Sequence, residues 1–150
     1  ARQGARVLAL DASTAAIEFL GERARREGLP VETRYVDLAT YAPADQYDCV
    51  VSIGMLMFLP CETAYALLAR AQAAVAPGGI MILNVLIEGT TYLEMFDPGS
   101  YCLFSADEIA GAFGGWRTID DRIENFPAPG ATIKRFRTVI AERTVPPCSR

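Results

Sequence analysis

Two aspartates stand where a carboxylate is most useful to a ligand. Asp11 ends the apolar run Val7-Leu8-Ala9-Leu10, and Asp37 follows the alternating segment Val31–Val36. An ionised carboxylate only accepts hydrogen bonds, which suits a pair of ribose hydroxyls, and bonds to a charged acceptor are among the stronger ones. Ligands of open α/β sheets collect beyond the carboxyl ends of the strands, where both acids would lie. The pair therefore points to a nucleoside-containing cofactor, one acid taking the sugar and the other an exocyclic amine. An Asp behind a strand also caps helices and forms turns, and that use stays open at this point.

Other reactive groups are scarce. The chain has no histidine and one lysine, Lys134, whereas proton transfer usually relies on His, Lys, Tyr or a tuned carboxylate. A reaction needing little acid–base help fits, and no residue is singled out as catalytic. Cys49, Cys61, Cys102 and Cys148 show no Cys-x-x-Cys spacing, so no metal site is expected. The four are expected as reduced thiols, with Cys49 in the core and the chain in the cytoplasm.

The net charge is −4 with dispersed basic residues, which argues against a nucleic-acid partner. Arg23, Arg25 and Arg26 cluster on what reads as the solvated face of a helix. The longest apolar stretch, Val50–Leu59, is broken by Ser52 and Gly54 and is far short of the ~20 residues a membrane span needs. No secretory signal is visible. A small-molecule substrate is the expected partner, and no feature selects an oligomeric state.

The elements that must position the acids follow from periodicity. Ala5–Leu10 reads as a buried strand. Ser13 or Thr14 caps a helix with apolar residues at helical spacing, and Gly28 ends it. Val31, Thr33 and Tyr35 alternate as a second strand, and Tyr47–Ile53 is a third, its adjacent Val50 and Val51 suggesting cover on both faces. Glu62–Ala76 is an amphipathic helix stopped by Pro77-Gly78-Gly79, and Ile80–Ile87 is a fourth strand. Residues 88–103 form a loop long enough to suggest a functional role, in which Tyr92, Met95 and Tyr101 either cover an acceptor or pack the loop down. Ser105-Ala106-Asp107-Glu108 is a capping box, with Phe104 and Ile109 as its staple. Trp116–Ile123 and Ile133–Ala141 close the chain as an antiparallel hairpin. The order is that of an α/β fold, a mostly parallel Rossmann-like sheet with a C-terminal antiparallel hairpin, expected as one domain over residues 1–143 with a tail at 144–150.

In this context the run Gln46–Leu59 followed by Pro77-Gly78-Gly79 resembles class I S-adenosylmethionine-dependent methyltransferases, and within them the tellurite-resistance methyltransferases. Val36-Asp37-Leu38, Leu56-Met57-Phe58-Leu59 and Phe104 ahead of its capped helix fit the same likeness. The resemblance implies S-adenosylmethionine as cofactor, with Asp11 and the neighbouring Ala12 at the ribose and Asp37 at the adenine amine. It further implies that the Leu38 amide meets a ring nitrogen and that Ile53, Gly54 and Met55 line the methionine end. Phe104 and Arg135 become candidate substrate residues, Arg135-Phe136 matching an Arg-Phe pair of the family. The acceptor it suggests is a soft anionic chalcogen or thiol species, which needs no general base.

Two departures stand beside the matches. The family's His-Arg step is replaced here by Asn125-Phe126-Pro127. Its first strand and glycine-rich turn would lie before Ala1, so the resemblance implies an N-terminally truncated domain, with residues 1–4 as the tail of a helix. A central strand missing from the sheet would leave two unpaired edges, and weak cofactor binding by the isolated chain is expected. A nicotinamide-dependent oxidoreductase remains the alternative, since an acid after the second Rossmann strand also holds ribose. A non-catalytic fragment is the third reading.

Overall fold

A computed structural model of the chain describes residues 1–145; the expected tail, with Cys148, lies largely outside them. The chain divides into two compact units, residues 1–41 and 42–150.

The first unit is a strand–helix–strand crossover: β1 (Val7–Asp11), α1 (Thr14–Glu27) and β2 (Val31–Tyr35). Ser13 is the α1 N-cap, its hydroxyl accepting from the Ala16 N–H at 3.2 Å. Gly28 closes the helix at φ 62°, a left-handed conformation in which only glycine avoids a Cβ penalty. The helix lets β2 return parallel to β1, with Val7 opposite Val31 and Asp11 opposite Tyr35. β1 and β2 form a two-stranded sheet of their own, so β1 has one strand neighbour among the described residues. Ala1–Gly4 is a turn closed by the Gly4 N–H on Ala1 O.

The second unit holds β3 (Tyr47–Ile53), α2 (Cys61–Ala73), β4 (Val75–Leu86), α3 (Ala106–Ala112), β5 (Arg117–Ala128) and β6 (Thr132–Glu142). Its sheet order is β3-β4-β6-β5. β3 and β4 are parallel, while β6 runs antiparallel to both β4 and β5. The closing hairpin thus inserts its second strand beside β4 and leaves its first at the edge. Pro77-Gly78-Gly79 lies inside β4 at a break in register, Tyr47 pairing with Val75 and Cys49 with Ile80. Gly79 is required there: a Cβ would sit 2.9 Å from the carbonyl oxygens of Ala76 and Asp48.

One face of this sheet carries the core. Met81, Leu83 and Val85 of β4 and Val139 and Ala141 of β6 are buried with Ala64, Leu67 and Leu68 of α2 and Ile109 of α3. Arg137 on the same face forms a double hydrogen bond to Asp121 of β5 (2.8 and 2.5 Å) and donates to Ala106 O at the start of α3. The opposite face lacks a helix of this unit: Val51 is 56 % and Ile53 64 % exposed, and Cys49 is exposed too. The expected two-sided cover of β3 and core position of Cys49 therefore fail. Alternation sends these residues to the open side, a direction their apolar character does not reveal.

The capping box forms by half. Ser105 accepts from the Glu108 N–H, but the Glu108 carboxylate turns away and accepts from the Tyr65 hydroxyl at 2.5 Å. That hydroxyl in turn accepts from the Ser105 N–H, at 3.3 Å. A side chain of α2 thus takes the place the box reserves for Glu108. Burial and the Glu108 bond push the Tyr65 phenol up to about 12. Among the described residues no helix is long and apolar enough to cross a membrane.

Candidate functional site

In the first unit the parallel crossover brings both acids to one rim. Asp11 is the last residue of β1, and Asp37 lies two residues beyond β2, so both stand at the carboxyl edge of the two-stranded sheet. Each is exposed and holds a local turn with one oxygen. Asp11 Oδ1 accepts from the Ser13 N–H at 2.8 Å and Asp37 Oδ1 from the Ala39 N–H at 2.9 Å. The turn-forming use of both residues is therefore real. It leaves the second oxygen of each carboxylate without a hydrogen bond among the described residues. The strands are tied at this rim by the Val36 N–H on Asp11 O, 3.1 Å. Ala12 is exposed in the turn after Asp11, and Leu38 is half-buried in the turn after Asp37.

The second unit presents its own carboxyl edge. Ile53 ends β3 opposite Asn84, and Gly54 donates to Asn84 O at 2.9 Å while turning the chain at φ 63°. Met55 then leads into a short 3-10 turn, Leu56–Phe58. Because β6 is antiparallel to β4, its start lies at this same edge, with Leu86 opposite Phe136. Arg135 sits there. Its backbone accepts from the Ile87 N–H, its N–H donates to the Thr90 hydroxyl, and its guanidinium reaches Glu88 O at 3.3 Å. No carboxylate pairs with the guanidinium among the described residues.

Phe104 is fully buried, its ring 4.9 Å from that of Tyr65. Its staple partner Ile109 is also fully buried. In this arrangement Phe104 presents no surface to a ligand. The long loop spans the predicted stretch, pinned at its roots by Ile87 pairing with Phe104 and by Thr91 and Tyr92 N–H groups on Ile133 O. Tyr92 lies under the Lys134 ammonium at 4.9 Å, and Tyr101 stacks on Phe96 at 4.8 Å. Phe96 also meets Phe58, 5.3 Å away. An open cavity of about 600 Å³ lies on the uncovered sheet face, lined by Ile53, Asn84, Phe126, Lys134, Phe136 and Thr138 among others.

Sequence reasoning missed one pair. Cys61, the first residue of α2, is disulfide-bonded to Cys102 at the end of the loop. The expectation of four reduced thiols fails here. The partners are 41 residues apart, and only the fold brings the loop back over the start of α2. Among the described residues no group of three or more His, Cys, Asp or Glu could hold a metal ion.

A parallel crossover with acids at its carboxyl edge, and a sheet closed by an antiparallel hairpin, define a Rossmann-like methyltransferase fold. The chain belongs to the methyltransferase domain family, whose model matches residues 1–79. Among solved structures it is similar to TehB from Haemophilus influenzae, with a TM-score of 0.80 and 19% identity, covering 94% of this chain and 51% of that one. It is also similar to the 1,6-didemethyltoxoflavin-N1-methyltransferase of Burkholderia thailandensis, solved with 1,6-didemethyltoxoflavin and S-adenosylhomocysteine (TM-score 0.67, 20% identity, 96% and 64% covered). A third is the N-methyltransferase NodS of Bradyrhizobium japonicum WM9 with S-adenosylhomocysteine (TM-score 0.70, 14% identity, 92% and 66% covered). The chain spans about half the length of the TehB structure. No curated protein sequence matches it.

Proposed function

We propose that the chain is part of an S-adenosylmethionine-dependent methyltransferase acting on a small molecule. The observation that carries the reading is the pair Asp11 and Asp37 at one carboxyl edge, each with a spare oxygen, in a chain of the methyltransferase domain family. Two acceptor-only groups on one rim fit a ribose and an amine, and S-adenosylhomocysteine in two similar structures supports the choice of nucleoside. Asp11 would hold the ribose hydroxyls, Asp37 the adenine amine, and the Leu38 amide a ring nitrogen. Ile53, Gly54 and Met55 would line the methionine end.

When bound, S-adenosylmethionine supplies an activated methyl group on a sulfonium. The protein's task is then alignment of nucleophile, methyl carbon and sulfur, worth roughly 7–11 kcal/mol of barrier in favourable cases. A chain without histidine suits an acceptor that arrives ionised. We infer a soft anionic chalcogen or thiolate, as in the tellurite-resistance methyltransferases, with the Arg135 guanidinium as its cation and the cytoplasm as its setting. Phe104 would act behind this site by positioning the root of the long loop.

Titration calorimetry with S-adenosylmethionine, S-adenosylhomocysteine and NADH tests the reading. Binding of the first two alone is expected, and binding of NADH alone would favour the oxidoreductase. Binding of none of the three would refute the reading.

A further inference from the structure

The Cys61–Cys102 bond joins the two segments that frame the carboxyl edge of the second unit. Cys61 opens α2, three residues after the turn Leu56–Phe58 that follows Met55, and Cys102 ends the long loop. The loop roots need no such tie. Backbone bonds hold Ile87, Thr91 and Tyr92 to β6 and Phe104 to β4, and Glu88 bonds to Phe104. Between them, Phe96 and Ser100 bond only within the loop, to Leu93 O and Asp97 O. What fastens residues 93–102 to the Leu56–Phe58 turn and the start of α2 is the Cys102 N–H on Met57 O (3.0 Å), the Phe58–Phe96 contact and the disulfide. The two residues also differ in exposure: Cys61 is exposed, whereas Cys102 is fully buried.

We propose that this disulfide is a redox latch, holding residues 93–102 over the Leu56–Phe58 turn when oxidised and releasing them when a small dithiol reduces it. A thiolate of the dithiol attacks Cys61 Sγ. The Cys61–Cys102 bond breaks, and Cys102 leaves as a thiolate that takes a proton. The second thiol of the reductant then attacks the mixed disulfide, forming its own intramolecular disulfide and releasing Cys61. Two electrons pass from the dithiol to the protein, and its two thiol protons end on the two cysteines. Cys61 is suited to leave, because the N-terminus of the thirteen-residue α2 favours a thiolate. The latch stands on the geometry of the loop; its effect on methyl transfer rests on the function proposed above, since the turn it grips follows Met55.

Alkylation with iodoacetamide under denaturing conditions, read by mass, tests the bond. In air-equilibrated chain the Cys61 and Cys102 peptides should stay unlabelled, and after dithiothreitol both should be labelled. Label on both without dithiothreitol would overturn the proposal. Hydrogen exchange then tests the latch without reference to any ligand. Amides of residues 93–101 should exchange at least tenfold faster after reduction, while those of β4 and β6 stay unchanged. Equal rates in the loop would overturn it. Cys61→Ser, made at the exposed position, should show the fast loop with or without dithiothreitol, and a redox-dependent loop in that variant would also count against the latch.

Discussion

Replacing Asp11 separates its two uses, because the structure assigns one oxygen to the protein. Oδ1 accepts the Ser13 N–H and so helps set the turn into α1, while the other oxygen is free for a ligand. Asp11→Ala removes both. The ligand should lose a charge-assisted bond of about 1.5–3 kcal/mol, which is about 10–150-fold in Kd. The fold should lose the exposed hydrogen bond from the Ser13 N–H, about 0.5–1.5 kcal/mol because water screens the carboxylate there. Asp11→Asn keeps an oxygen for Ser13 but replaces the free acceptor by an N–H₂ donor and removes the charge. Its melting temperature should stay near that of the parent, while its affinity for S-adenosylhomocysteine falls about tenfold or more. Calorimetry for binding and a thermal melt for stability read the two effects apart. An Asn variant that binds like the parent would refute the reasoning, and Asp11 would then be a turn former only.

Three further outcomes follow from the second unit. Phe104→Ala should cost about 3–5 kcal/mol of unfolding free energy, read in urea by the fluorescence of the single tryptophan, Trp116; a loss below about 1 kcal/mol would mean that the ring is not the core anchor its burial implies. Tyr65 should ionise well above an ordinary phenol. An absorbance titration should find a phenol near pH 12 that Tyr65→Phe removes. Because its folded pKa is raised above the usual 10, the stability it contributes is present below pH 10 and lost as pH rises through 12. Gly79→Ala should destabilise by about 1–3 kcal/mol, since its new Cβ meets two backbone oxygens that cannot swing aside; unchanged stability would show that the β4 bulge relaxes freely.

Much of the architecture was legible locally. Ser13 and Gly28 bound α1, alternation marks β2, and a crossover helix between strands dictates a parallel pair. From that alone Asp11 and Asp37 had to share one edge. Each step rests on hydrogen bonds or periodicities spanning a few residues, which a sequence records directly. What the sequence could not carry involves partners far apart along the chain. Apolar Val51 and Ile53 look the same whether or not a helix covers them, and only packing shows their face open. Tyr65 displaces Glu108 from its capping box across 43 residues. Cys61 finds Cys102 only because the long loop folds back over α2. Short-range order is set by the chemistry of adjacent residues, but which distant side chains meet depends on how whole elements pack, and that was decided by the tertiary structure.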